Sequence, residues 1–154
     1  MSVLSTQSDI KDHVLQTPQS STSQHHLSFR NVTFAYPDGE EAVLKNISFE
    51  AHEGETIAFI GSTGSGKSTL INLIPRFYDI SSGEILIDGI DIQDYRIDDL
   101  RNKIGFIPQK AMLFTGTIAE NLRYGKADAT LEELEHAAKV SQSYDFYYGK
   151  TKWF

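Results

Sequence analysis

A loop of nine residues, Gly61 to Thr69, constrains the fold of this chain more than any other part of its sequence. Its sequence is Gly-Ser-Thr-Gly-Ser-Gly-Lys-Ser-Thr, which matches the pattern G-x-x-x-x-G-K-S/T. The glycines allow backbone conformations that other residues avoid, and they let N–H groups approach a ligand closely. Successive N–H groups in such a loop form a concave nest for phosphate oxygens, and the positive end of a following helix favours the same ligand. Lys67 can reach the β- and γ-phosphates of a nucleoside triphosphate, and the Ser68 hydroxyl can bind Mg²⁺.

The segments on either side of the loop have the form that this pattern requires. Thr56 to Ile60 is a short, nearly continuous apolar run, which predicts a strand buried on both faces of a parallel sheet. After the loop, four apolar residues recur at the spacing of one helical face; they are Leu70, Leu73, Ile74 and Phe77. Pro75 is expected to end or kink that helix early. The loop therefore predicts binding of a nucleoside triphosphate, and alone it does not choose between a kinase, a GTPase, a motor protein and a transporter ATPase.

Further strands and helices are predicted on both sides of this core. Leu27 to Phe34 indicates a strand whose alternation slips once, at a bulge near Arg30-Asn31, and Val43 to Phe49 indicates its antiparallel partner. Two more short strands are predicted at Glu84–Asp88 and Ile104–Ile107. Two capping boxes predict the starts of later helices, and their residue pairs are Thr117 with Glu120 and Thr130 with Glu133.

Composition excludes several classes of protein. The 154 residues carry 14 Lys+Arg against 21 Asp+Glu, a formal net charge of -7, which leaves no electrostatic footprint for nucleic acid. The absence of cysteine excludes disulfides, thiolate metal sites and cysteine nucleophiles. The longest unbroken apolar runs, such as Ile57 to Ile60, are far shorter than the roughly 20 residues of a spanning helix. Any role at a membrane is therefore expected to come through a partner.

The two ends of the chain differ in composition from the part between them. Residues 1-26 are rich in Ser, Thr and Gln and are predicted to be a linker or tail, with a short helix through Ile10, Val14 and Leu15 as the alternative. Residues 144-154 contain six aromatic residues without a helical period. We expect this segment to be the cut or out-of-frame end of a longer gene, and a partner-binding tail is the alternative. The domain proper is predicted at 27-143.

The stretch from about Leu27 to Ala138 resembles the nucleotide-binding domain of ATP-binding cassette (ABC) transporters, in particular the exporter type. Segments in the matching order carry this resemblance, and they are Phe29–Tyr36 (first strand and A-loop), Gly61–Thr69 (P-loop), Phe77–Asp79 with Ser82–Gly89, Leu100–Gln109 (leading into the Q-loop) and Leu113–Asn121. The fold it implies is α/β, a partial P-loop NTPase. In that fold an antiparallel β-layer (about 27–53 and 83–92) packs on part of a parallel P-loop core (about 56–77 and 103–109), and a helical subdomain starts after 114.

The resemblance also implies roles for individual residues. Tyr36 would stack on the adenine ring, because the face of an aromatic ring binds any base; without the motif order it is an ordinary tyrosine at a strand end. Gln109 would act in catalysis by contacting Mg²⁺ or the attacking water, and it would couple the nucleotide to the transmembrane partner. Mg²⁺ would be bound by Ser68 and Gln109. The residues implied in binding ATP are Tyr36, Gly61, Ser62, Thr63, Gly64, Ser65, Gly66, Lys67, Ser68 and Thr69.

The partners implied are a transmembrane domain absent from this chain and a second nucleotide-binding domain, at the cytoplasmic face of the cell membrane. Several elements of the family pattern have no counterpart in the sequence: the LSGGQ-like signature, the Walker B Asp-Glu pair, the D-loop and the switch histidine. Ile85–Asp88 imitates a Walker B strand, but Gly89 follows where the catalytic Glu would stand, so Asp88-Gly89 is predicted to be a turn. We therefore expect a C-terminally truncated ATP-binding domain of an exporter, which in its complete form couples ATP binding and hydrolysis to transmembrane transport. The alternative is a nucleotide-binding fragment without turnover.

Overall fold

The computed structural model describes Ile10, residues 26–110 and residues 112–145. The proposed helix through Val14 and Leu15 and most of the aromatic segment 144-154 lie outside the described residues. The chain forms two compact units, one up to Phe106 and one from Ile107 onward. Each unit is described by itself below.

The first unit is built on a four-stranded antiparallel sheet with strand order β2-β1-β3-β4. Its strands are β1 (Leu27–Phe34), β2 (Leu44–Ala51), β3 (Ser82–Ile87) and β4 (Ile90–Asp91). β1 lies between β2 and β3 and pairs antiparallel with both. The predicted antiparallel pair is therefore confirmed, and it forms the centre of the predicted antiparallel layer.

The irregularity predicted in β1 is a bulge. Its register against β2 shifts between Phe29 and Val32, and Asn31 has a positive φ of 48°, a conformation that asparagine tolerates better than most residues. The shift lets both halves of the strand direct apolar side chains to the same core: Phe29, Val32 and Phe34 are all at most 1% exposed. The broken alternation in the sequence thus reflects the bulge itself.

The P-loop helix, α1 (Lys67–Leu73), packs on this core through Leu70 and Leu73, both buried. It ends at Leu73, as expected from Pro75, so Phe77 lies beyond the helix rather than on its apolar face. A second helix, α2 (Ile97–Asn102), was not predicted. Its N-cap is Arg96, which makes no side-chain cap hydrogen bond, so the sequence carries no capping signal there.

Two predicted strands are absent from the described structure. Neither Thr56–Ile60 nor Ile104–Ile107 is a strand, and the apolar side chains in them are partly or fully exposed, with Ile60 at 96% and Ile107 at 93%. The predictions of these two strands were wrong for this chain. An apolar run becomes a strand only where another strand accepts its N–H and C=O hydrogen bonds. Among the described residues, the only sheet is the antiparallel one, and it does not include these two segments.

The turn predicted at Asp88-Gly89 is confirmed. Both residues have positive φ, 52° and 78°, and they join β3 to β4. Lys103 Nζ donates a hydrogen bond to Asp88 Oδ2 at 2.8 Å, and His26 Nδ1 lies 2.7 Å from Asp88 Oδ1. The hydrogen bond from Lys103 is the main reason why the pKa of Asp88 is lowered from 3.8, despite the opposing effect of burial. Asp88 therefore ties the start of β1, this turn and the end of α2 together.

Replacing Asp88 with Asn should lower the free energy of unfolding by up to about 1 kcal/mol near neutral pH. The effect is small because the side chains of Asp88 and Lys103 are both partly exposed. Since the folded-state pKa lies below 3.8, the stabilisation is present above that value and is lost as the pH falls through the folded-state pKa. Denaturant titrations of both proteins from neutral to strongly acidic pH measure this difference. Asparagine tolerates the positive φ, so backbone strain does not contribute. A difference that stays constant down to the lowest pH would contradict the role of the charge.

The second unit contains two helices that start at the predicted capping boxes. In α3 (Ile118–Leu122) the cap is Thr117 with Glu120, and in α4 (Leu131–Val140) it is Thr130 with Glu133; both boxes are complete. A 3-10 turn, Arg123–Gly125, follows α3. A small apolar cluster holds this unit together, and its buried members are Ala119, Ala129 and Leu134.

Candidate functional site

The glycines of the loop Gly61–Thr69 have the conformations that the pattern requires. Gly64 and Gly66 have φ of 84° and 86°, in the region closed to most side chains. Gly66 also lies so close to β2 that an added Cβ would stand 2.8 Å from Leu44 Cδ2. Both the backbone conformation and the packing therefore exclude other residues at Gly66.

Gly61 lies against Ser65 of the same loop. A Cβ at this position would lie 2.6 Å from Ser65 Oγ, so any side chain would enter the concavity of the loop. Opposite, the Ser65 N–H donates to Ser62 O at 3.2 Å and closes a tight turn. A side chain at position 61 would therefore collide with Ser65, so the packing within the loop requires glycine there.

The ammonium group of Lys67 lies in this concavity. Its Nζ donates hydrogen bonds to Gly61 O at 2.7 Å, to Ser62 O at 2.7 Å and to Ser65 Oγ at 3.1 Å. Three oxygens of the loop thus hold one positive charge at the place where the pattern expects phosphate. Phosphate oxygens are stronger acceptors for an ammonium group than neutral carbonyls, so an anionic ligand can take over these contacts.

Two hydroxyl residues follow Lys67 in the first turn of α1, and they have different surroundings. Ser68 is exposed, and a hydroxyl oxygen is a suitable ligand for a hard cation such as Mg²⁺. Thr69 is buried, 7% exposed, and its Oγ1 lies 3.0 Å from the hydroxyl oxygen of Tyr36. The N–H groups of this first turn have no acceptor within the helix and are available to a ligand.

Tyr36 lies beside the P-loop helix, with its hydroxyl oxygen close to Thr69 Oγ1. Its stacking on adenine stays a prediction. Its ring is half-buried and stands nearly perpendicular to the rings of Phe34 and Tyr78, with centroid distances of 4.9 Å and 5.1 Å. The contacts to Tyr78 and Thr69 were not foreseen. No local pattern in the sequence could have indicated them, because they join residues 33 and more positions apart.

Gln109 lies in the second unit and is exposed. Its part in catalysis and in Mg²⁺ binding stays a prediction. Histidine and acidic side chains nowhere form a group of three or more suited to a metal ion within residues 26–110 and 112–145. Mg²⁺ at a nucleotide site does not need such a group, since it is bound by one or two protein oxygens together with phosphates and water.

The glycine loop followed directly by α1 is the local arrangement of a P-loop. The sequence profile of the ABC transporter family matches residues 44–151. The chain belongs to the ABC transporter family. Every helix in the described part of the chain is too short or too polar to span a bilayer.

Similar proteins are bacterial exporters. The chain is 49% identical, over 120 residues, to the ATP-binding/permease protein YgaD of Bacillus subtilis (strain 168), which is named for multidrug export; the match covers 78% of this chain and 21% of that protein. It is 47% identical, over 138 residues, to a protein of Staphylococcus aureus (strain NCTC 8325 / PS 47) with the same kind of name, covering 90% of this chain and 24% of that one.

A solved structure of a bacterial Atm1-family ABC exporter with ATP bound matches with a TM-score of 0.85 and 36% identity, covering 95% of this chain and 25% of that one. These matches establish that the chain corresponds to the nucleotide-binding domain of an ABC exporter. The chain spans about a fifth to a quarter of the length of the curated relatives it matches.

Proposed function

We propose that this chain binds ATP with Mg²⁺ at the loop Gly61–Thr69. The observation that supports this most is the position of the Lys67 ammonium, which is held inside the loop by oxygens of Gly61, Ser62 and Ser65. Titration calorimetry of Mg-ATP into the chain tests the proposal directly. Heat that saturates at one nucleotide per chain is the expected result, and absence of binding would contradict it.

Different groups of the loop bind different parts of Mg-ATP. The phosphates are bound by the loop, chiefly through its backbone N–H groups, and Lys67 supplies the positive charge. The loop residues in this role are Gly61, Ser62, Thr63, Gly64, Ser65, Gly66, Lys67, Ser68 and Thr69. The Ser68 hydroxyl binds Mg²⁺, which neutralises charge on the phosphate oxygens when bound. By the family pattern, Gln109 supplies a second oxygen to the metal and acts in catalysis.

We propose that, within a complete transporter, this chain lies at the cytoplasmic face of the cell membrane. Its binding and hydrolysis of ATP would drive export by a transmembrane domain. The permease part in the names of the relatives supports a transmembrane partner. A second nucleotide-binding domain would complete the site, as in the family. The acidic net charge of -7 argues against nucleic acid as a partner.

A second candidate function is nucleotide binding without turnover. It is favoured by the sequence, in which an LSGGQ-like motif and an Asp-Glu pair do not occur. In phosphoryl transfer, a positioned side chain must orient the attacking water. We therefore expect phosphate release by this chain to equal that of its Lys67→Ala variant. Turnover that depends on Lys67 would contradict this candidate and favour an ATPase.

Tyr36→Ala is expected to weaken Mg-ATP binding by about 1–3 kcal/mol, because the stacked aromatic ring is lost. Tyr36→Trp should lose much less affinity than Tyr36→Ala, since it keeps an aromatic face. Stacking does not depend on the identity of the base, so GTP should lose as much affinity as ATP. Calorimetry with both nucleotides measures these changes, and equal ATP affinity of Tyr36→Ala and parent would rule out the stacking role.

A further inference from the structure

The ring of Tyr36 is held by more than its own strand. Tyr78 stands nearly perpendicular to it, at 88° and 5.1 Å between ring centroids, and Phe34 stands at 80° and 4.9 Å. Perpendicular aromatic pairs of this kind are favourable beyond the area they bury. The three rings form one cluster, since Phe34 and Tyr78 are themselves 5.7 Å apart.

The far end of the same ring is fixed by a hydrogen bond. The Tyr36 hydroxyl lies 3.0 Å from Thr69 Oγ1, and Thr69 is only 7% exposed. Thr69 follows Lys67 by two positions on the first turn of α1. The hydrogen bond therefore links the ring proposed to stack on the base to the helix that carries the phosphate loop.

A side chain that is already fixed loses little conformational freedom when it binds a ligand. Left to itself, a tyrosine at a strand end would be free to turn away from the base. In this structure, the ring of Tyr36 packs against Tyr78 and its hydroxyl contacts Thr69. The orientation of the ring and its distance from the phosphate loop are therefore fixed before a ligand binds.

We propose that Tyr78 and Thr69 are positioning residues, which fix the ring of Tyr36 for stacking on the nucleobase. The inference rests on the proposed function and extends it to two side chains outside the expected stacking contact. It also assigns the Thr69 hydroxyl to Tyr36, while the backbone N–H of Thr69 remains available to the phosphates.

Two ligands separate positioning of the base from binding of the phosphates. Mg-ATP carries both parts, whereas Mg²⁺ with inorganic tripolyphosphate carries only the phosphates. In Tyr78→Leu and in Thr69→Val, affinity for Mg-ATP should fall roughly two- to tenfold. In Tyr78→Leu, whose side chain is outside the phosphate loop, affinity for tripolyphosphate should not change. A general loss of structure would instead lower the affinity for both ligands, and that result would overturn the proposal.

Matched variants make the test specific. Phe77→Leu removes an aromatic ring from the neighbouring position with similar exposure, 40% against 37%, but this ring contacts Phe106. It should leave both affinities unchanged. Tyr78→Phe keeps the ring and should retain the affinity of the parent.

A double-mutant cycle tests the hydrogen bond by itself. Tyr36→Phe keeps the stacking ring but removes the hydroxyl, so Thr69→Val should have no further effect on Mg-ATP binding in that background. Additive losses would overturn the assignment of the Thr69 hydroxyl to Tyr36.

The outcomes also distinguish this inference from the proposed function. If the parent chain binds neither ligand, the proposed function fails and the inference fails with it. If the parent binds Mg-ATP and the Tyr78→Leu variant binds it equally well, only the positioning role is overturned.

Discussion

Lys67→Ala is expected to weaken Mg-ATP binding by about ten- to a hundredfold. The ammonium group lies where the loop would hold phosphate, and hydrogen bonds to charged groups contribute about 1.5–3 kcal/mol. Each 1.4 kcal/mol is about tenfold in affinity, which gives the stated range. Titration calorimetry measures the change, with the free energy of unfolding determined in parallel because Lys67 also holds Gly61 O and Ser62 O.

Lys45→Ala is the matched control for this experiment. Lys45 is an exposed lysine of β2 whose ion pair with Glu41 is long, 3.7 Å, so its loss removes the same charge without touching the loop. It should leave the affinity within about twofold of the parent, as expected for an exposed pair of little energetic weight. Unchanged Mg-ATP affinity in Lys67→Ala, or equal losses of affinity in both variants, would contradict the assignment of the site.

Phe29→Ala should lower the free energy of unfolding by about 3–5 kcal/mol, the usual cost of removing a buried aromatic ring. Phe29 is 1% exposed, stands in the central strand β1 and stacks on Phe49 with centroids 4.5 Å apart. It pairs with Phe49 on one side and Ile85 on the other, so a cavity here would weaken both strand pairings of β1. Urea denaturation followed by circular dichroism measures the loss.

The control for Phe29→Ala is a large apolar residue at the opposite extreme of exposure. Ile60 is 96% exposed, and Ile60→Ala should change stability by no more than about 0.5 kcal/mol. If Phe29→Ala were no more destabilising than Ile60→Ala, the antiparallel sheet would not be the stable core of this chain.

Several features followed from the sequence because short-range chemistry decides them. The two capping boxes are complete as predicted, since the cap residue and the Glu three positions later form their hydrogen bonds within one turn. The turn at Asp88-Gly89 and the early end of α1 before Pro75 depend on the φ preferences of the residues themselves. The bulge in β1 could be predicted because one face of the strand must reach the core.

The apolar runs at Thr56–Ile60 and Ile104–Ile107 have the composition of buried strands, and composition alone suggested that they pair. Pairing is a property of two segments, and no described part of this chain is paired with either run. The helix α2 likewise has no cap in the sequence, and the tertiary structure supplies the contacts instead: Leu100 is fully buried, and Arg101 donates hydrogen bonds to Pro75 O and Arg76 O.

In the candidate site, too, local sequence indicated one part and tertiary packing decided the other. The sequence by itself indicated the loop, because nine consecutive residues carry its glycines, its lysine and its hydroxyls. Only the tertiary structure placed Tyr36 against Thr69 and Tyr78, 33 and 42 positions away along the chain. Such contacts depend on how β1 packs beside α1 and the segment after it, and a local pattern carries no information about packing between distant segments.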